Sequence, residues 1–287
     1  MKRILAPILV IAGLAAGVSL PALAAPALSQ PGQPAQTSTT PSQEPPNQVS
    51  DGVHPWLPDM RSAEEYARHR NGVISFAVST RSRYWGYHDT RIYPSASVLK
   101  AMLMVAYLNR SSVRHRDLTS SDRDILWPMI TRSDNNAANR CIQSVGSHAI
   151  YEVARKAHMH AFRFEYPIWG NSHIDANDQA RFLLYIDKYV VSRHRDYALH
   201  LLASITPSQR WGIWRVKPDG WRLYSKGGWG SGTGRVDHQV ALLRRGHQRV
   251  SVAILTYADG SHSYGKETLR GVAKRLLRAL ADSPSVP

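Results

Sequence analysis

The 287-residue sequence predicts an α+β fold whose sheet is assembled from both ends of the chain. Three observations carry this expectation. Strand-like runs at 72–80 and 83–88 stand early, and two more at 235–243 and 250–257 stand late. Helical patterns fill most of the interval between them. With 43% hydrophobic and 20% charged residues, the chain has enough apolar side chain for a core of ordinary domain size.

Element by element, a helical pattern over 58–70 leads into the first two strand runs, which a short polar turn joins as a hairpin. After Tyr93-Pro94, residues 97–108 are apolar almost all round, with Val98, Leu99, Met102, Leu103, Met104, Val105 and Leu108. Such a helix is expected to be buried. Helical patterns then run to about Ile205 and predict a mainly helical second lobe. A glycine-rich, strand-like segment at 225–230 precedes the two late strands, and a basic amphipathic helix over 265–280 closes the body. The cleft between lobe and sheet is the natural place for a ligand.

The first fifty residues read differently. Met1, Lys2 and Arg3 form a basic start, 4–20 an apolar stretch, and Ala22-Leu23-Ala24 a small-x-small cleavage signal, so 1–24 is expected to be a signal peptide. The stretch is short for a span and is interrupted by Pro7, Gly13 and Gly17. Residues 25–50, rich in Pro, Gln, Ser and Thr, read as a disordered linker. Residues 51–287 are then the folded, exported domain, secreted or associated with the cell wall. The 36 Lys and Arg against 21 Asp and Glu give +15, and removing Lys2, Arg3 and Glu44 leaves +14 on that domain. Export argues against nucleic acid as the partner of this charge and points to an anionic cell-wall polymer. One cysteine, Cys141, excludes an internal disulfide and a multi-cysteine metal site, and His158 and His160 lack the His-Glu-x-x-His pattern. No metal and no cofactor is expected, and the protein is expected to be a monomer.

Three short motifs carry chemistry. Ser97 and Lys100, one turn apart on a buried helix, lie on one face. A lysine among apolar neighbours loses its charge more readily and can take a proton from a nearby hydroxyl, which makes the serine a nucleophile. Read alone, Ser97 is a helix cap, as is the second Ser-x-x-Lys copy, Ser263 to Lys266. Ser133-Asp134-Asn135 opens a helix that continues Asn136-Ala137-Ala138-Asn139, and Ser225-Lys226-Gly227-Gly228-Trp229-Gly230 forms the third segment. The glycines do not have the spacing of a phosphate or dinucleotide loop.

In this order the three motifs resemble the Ser-x-x-Lys, Ser-Asp-Asn and Lys-Thr-Gly set of class A β-lactamases and penicillin-binding proteins. Tyr93-Pro94 before the serine and the Asn-Ala-Ala-Asn continuation favour the class A branch. The resemblance implies a β-lactamase/transpeptidase-like fold with an antiparallel sheet of about five strands. It implies Ser97 as acyl-accepting nucleophile, Lys100 as base or relay, and Ser133 as proton shuttle. Asn135, Lys226, Gly228, Trp229 and Arg235 would bind substrate, with the Ser97 and Trp229 amides as oxyanion donors and Arg235 on a substrate carboxylate.

Three departures stand against the likeness. Gly227 replaces the usual Thr or Ser, the interval from Ser97 to Ser133 is short, and the Glu-x-x-Leu-Asn signature of the deacylating glutamate is absent. Glu165 is the only carboxylate within 161–173 and is either the water-activating base or an exposed loop charge. The expected function is a serine hydrolase forming an acyl-enzyme with a β-lactam or a peptidoglycan peptide. The alternatives are a D-alanyl-D-alanine carboxypeptidase or penicillin-binding protein with slow deacylation, and a non-catalytic wall-binding relative. Trp211, Trp214, Trp221 and Trp229 cluster around the third motif and are expected mostly as packing.

Overall fold

The computed structural model describes residues 56–230 and 232–283, which belong to a compact unit, Gly52–Pro287. The expected signal peptide and linker lie outside the described residues.

Helix α1 (Met60–Arg68) is capped by Asp59, whose side chain accepts from the Ser62 amide, and leads into strands β1 (Val73–Thr80) and β2 (Tyr84–Tyr87). A two-residue strand β3 (Tyr93–Pro94) precedes a 3₁₀ turn, Ala96–Leu99, which runs into helix α2 (Lys100–Leu108). Every residue of α2 is buried, as its all-round apolar pattern requires. Helix α3 (Ser120–Thr131) starts at a capping box between Thr119 and Asp122. Asp134 caps helix α4 (Asn135–Lys156), which kinks at Gly146. Strand β4 (His173–Ile174) pairs with β3, and helices α5 (Ala176–Leu184), α6 (Ile186–Tyr189) and α7 (Arg195–Ala203) follow. Strands β5 (Arg222–Gly230), β6 (Val236–Arg245) and β7 (Gln248–Tyr257) lead to helix α8 (His262–Leu276).

The sheet has five antiparallel strands in the order β2-β1-β7-β6-β5, so the two ends of the chain meet at the β1–β7 pairing. Alternation along each strand divides the core in two. Val240, Leu242, Ala253 and Leu255 face α2 to α5 and α7, while Ala241, Leu243, Val252 and Ile254 face α1 and α8. The helical lobe therefore has no separate core of its own: its apolar side chains and one face of the sheet form a single cluster. No helix among the described residues is long and apolar enough to cross a membrane.

Two local expectations are corrected. Helix α8 begins at His262, three residues before the predicted start. Its cap is Ser261 rather than Ser263: the extended backbone of Ser261 lets its hydroxyl accept from the Tyr264 amide, and Ser263 falls within the first turn.

Candidate active site

The three motifs come from three separate elements and meet at one cleft of about 380 Å³. Ser97 lies in the 3₁₀ turn at the head of α2, partly exposed and lining the cleft, with Asn135 from the first turn of α4 and Trp229 from β5. The turn is held from behind by His238 on β6. The His238 Nδ1 accepts from the Thr256 amide (3.1 Å), which leaves Nε2–H to donate to the Pro94 carbonyl (2.8 Å). Burial pushes the pKa of this ring down to about 4, so it is neutral at pH 7.

Gly228 explains how β5 approaches so closely. A Cβ there would lie 2.9 Å from the Ser97 amide nitrogen and 3.0 Å from that of Val98, contacts that backbone atoms cannot relieve. Ala96, just before the serine, has φ +42°, and Ser133 has φ +58°, so the left-handed region appears twice within the site.

Beneath the cleft two buried lysines share one hydroxyl. Lys100 Nζ donates to the Ser133 carbonyl (2.5 Å), Ser133 Oγ (3.2 Å) and Asn135 Oδ1 (2.7 Å). Lys226 Nζ donates to the same Ser133 Oγ (3.0 Å) and to the Gly227 carbonyl (2.8 Å). Both side chains are fully buried. Desolvation lowers the Lys100 pKa to about 7 against a small opposing effect of Asp134. Burial, and then the like charge of Lys100, push Lys226 well below the ordinary lysine range. These contacts fix the unusual backbone of Ser133 at the junction of α3 and α4. The Ser97 hydroxyl makes no hydrogen bond to another described residue and stands free in the cleft.

Of the other predicted residues, Trp229 lines the cleft and Gly228 packs against the Ser97 and Val98 amides, whereas Arg235 and Glu165 are not among the lining residues. Arg235 is an exposed turn residue between β5 and β6 with φ +55°. The Glu165 carboxylate pairs with Arg163 Nε at 2.6 Å, because the Arg163–His173 bridge sets both basic side chains beside it. The side of the cleft nearest Lys100 is instead covered by Trp169, whose ring centroid lies 5.1 Å from Lys100 Nζ and whose indole N–H donates to Asn139 Oδ1 (2.8 Å).

Trp169 and Asn139 were the positions least legible in the sequence. Asn139 stands in the continuation of the second motif, but Trp169 falls in an interval where only a carboxylate has a recognisable role. Trp211 is likewise more than packing. A Cβ at Gly227 would lie 2.9 Å from two carbons of its ring, so the indole fills the side-chain space beside the third motif. Trp221 is core, as expected, and Trp214 packs at its edge.

Comparison with known proteins agrees with this architecture. The chain is similar to the β-lactamase of Sphaerobacter thermophilus, with TM-score 0.68, 18% identity, and coverage of 79% of this chain and 98% of that one. It is similar to a β-lactamase of Xanthomonas campestris, with TM-score 0.67, 16% identity and coverage of 77% and 97%. A reconstructed ancestral class A β-lactamase of Gram-negative bacteria has TM-score 0.65, 16% identity and coverage of 77% and 99%. No curated protein matches the sequence. The family model described as the Beta-lactamase enzyme family matches residues 115–280, more than half of the chain. With its five-stranded antiparallel sheet and flanking helices, this chain belongs to the β-lactamase enzyme family.

Proposed function

We propose that the protein is an exported active-site serine hydrolase that forms an acyl-enzyme at Ser97 with a carbonyl of the β-lactam, cell-wall peptide or ester type. The observation that carries this reading is the Ser133 hydroxyl, held 3.2 and 3.0 Å from the amines of Lys100 and Lys226 beneath the cleft that contains Ser97. Ser97 Oγ attacks the carbonyl carbon and its proton passes to the Lys100 amine. The Ser97 and Trp229 amides receive the developing oxyanion, and the Ser133 hydroxyl delivers its proton to the leaving atom and is reprotonated by the Lys100 ammonium, which returns to the neutral amine, while Lys226 supports the Ser133 oxygen electrostatically. Water then cleaves the acyl bond and restores Ser97. Asn135 orients the substrate amide or ester.

A second reading, a penicillin-binding type of enzyme with slow deacylation, is favoured by one specific observation. None of the described residues lining the cleft is a carboxylate, and Trp169 covers the side nearest Lys100 while Glu165 is paired with Arg163. Rapid acylation and slow release are the expected kinetics. The +14 charge of the folded domain supports retention near an anionic wall polymer, and N-terminal sequencing of the exported protein tests cleavage after Ala24.

The test of the enzyme reading is incubation with a fluorescent penicillin and a chromogenic cephalosporin beside a Ser97→Ala control. A Ser97-dependent adduct is expected, with a burst no larger than one turnover before a slow steady state. Rapid multiple turnover would refute the slow-release reading, and a Ser97→Ala protein that still forms the adduct would remove Ser97 as nucleophile.

A further inference from the structure

The cleft is built from uncharged parts. None of the described residues lining it carries a charge, and Pro167, Ile168, Trp169 and Trp229 are its large apolar side chains. The apolar surface continues past the rim, where Tyr166 is 73% and Ile168 63% exposed. The two lysines beneath are fully buried, and their hydrogen bonds go to Ser133, Asn135 and the Gly227 carbonyl.

The two groups expected to receive a substrate carboxylate are both missing from this surface. At Gly227 there is no hydroxyl, and the neighbouring space is taken by Trp211. That indole is held in place by Gln239, which donates to the Trp211 carbonyl (3.0 Å) and accepts from the Ile213 amide (2.6 Å). Arg235 is an exposed turn residue outside the lining. Thr233 lines the cleft, but its hydroxyl donates to the Gly230 carbonyl (3.2 Å). Among the described residues, a carboxylate seated here gives up water and gains no cation and no free hydroxyl besides that of the Ser97 nucleophile, whereas an aromatic or aliphatic group gains contact with two indoles.

We propose that this cleft selects neutral, apolar esters over acyl donors that carry a carboxylate next to the leaving group. The inference rests on the reading of Ser97 as nucleophile and gives that site its substrate class. In the reaction the Ser97 Oγ–carbon bond forms, the ester carbon–oxygen bond breaks, and the leaving alkoxide departs as the alcohol with the serine proton. Water then attacks the acyl carbon, releasing the carboxylic acid and returning a proton to Ser97.

Two esters with one acyl group provide the test: phenyl phenylacetate and its 3-carboxyphenyl counterpart, assayed on the full chain with the Ser97→Ala rate subtracted. The neutral ester is expected to have the higher kcat/KM by about 10-fold or more. A Gly227→Thr/Trp211→Ala double variant, which restores a hydroxyl and removes the indole, is expected to shift that ratio toward the carboxylate ester by about 10-fold. Equal rates, a preference for the carboxylate ester, or no Ser97-dependent turnover of the neutral ester overturns the proposal. A fluorophosphonate label on Ser97 separates the two levels: labelling with any of those results leaves the nucleophile standing and removes only the substrate class, while absence of labelling removes both.

Discussion

If the Lys100 amine is the base, acylation must follow its proton. An ordinary lysine of pKa 10.5 is neutral in only about 3 molecules in 10⁴ at pH 7, whereas burial lowers Lys100 to about 7 and makes the neutral form about half of the population. Active enzyme therefore increases as pH rises. Between pH 5 and pH 7 the neutral fraction grows about 50-fold, and above pH 8 it is nearly constant. Because Lys100 and Lys226 both reach Ser133 Oγ, the observed midpoint belongs to the pair. The assay is second-order acylation by a chromogenic acyl donor from pH 5 to 9, with the Ser97→Ala rate subtracted. A flat profile, a rate falling with pH, or a midpoint near 10 would refute the reasoning.

The same burial has a stability consequence. The folded-state pKa lies below the unfolded value, so the unfolded chain binds the additional proton between about pH 7 and 10.5, and stability rises with pH across that window. The difference of about 3.5 corresponds to ~5 kcal/mol of desolvation cost at neutral pH, against three hydrogen bonds worth about 1 kcal/mol each. Lys100→Met is therefore expected to abolish acylation while melting no lower than the wild type. A large fall in melting temperature would show that Lys100 is held for stability.

Gly228→Ala places a Cβ 2.9 Å from the Ser97 amide nitrogen and is expected to lower acylation kcat/KM by about 100-fold with the fold retained, as circular dichroism would check. Trp169→Glu puts a carboxylate on the side of the cleft nearest Lys100 and is expected to raise the deacylation rate by about 100-fold, measured as recovery from a penicillin adduct; unchanged recovery would contradict the part given to Trp169. Although burial opposes it, hydrogen bonds from Arg116, Thr119 and Tyr107 hold the Asp122 carboxyl well below the usual range. Its stabilisation is present above about pH 4 and is lost as pH falls through the folded-state value, and Asp122→Ala is expected to cost about 3 kcal/mol in urea unfolding at pH 7.

The elements that were readable from the sequence are those with a strong local signal. The unbroken apolar run of α2 leaves no exposed face, and the nearly continuous buried runs of β6 and β7 match strands covered on both faces of the sheet. The grouping of Lys100, Ser133 and Lys226 was legible only through the ordered resemblance of the three motifs, since each motif by itself reads as a cap or a turn. Glu165 was not placed by sequence, since a pairing with Arg163 depends on the Arg163–His173 bridge, a contact between positions ten apart in a loop. Trp211 read as packing in one dimension, and Trp169 carried no signal. Only the folded chain shows that the Trp211 ring fills the side-chain space at Gly227 and that the Trp169 ring lies 5.1 Å from Lys100 Nζ.

The central claim is that Ser97 is the nucleophile. It is tested most directly by quenching the protein after seconds with an acyl donor and mapping the added mass by peptide mass spectrometry. The account predicts one acyl group, on the Ser97 hydroxyl, absent from Ser97→Ala. An adduct on Ser133, on Lys100 or on a surface lysine, persisting in Ser97→Ala, would contradict it.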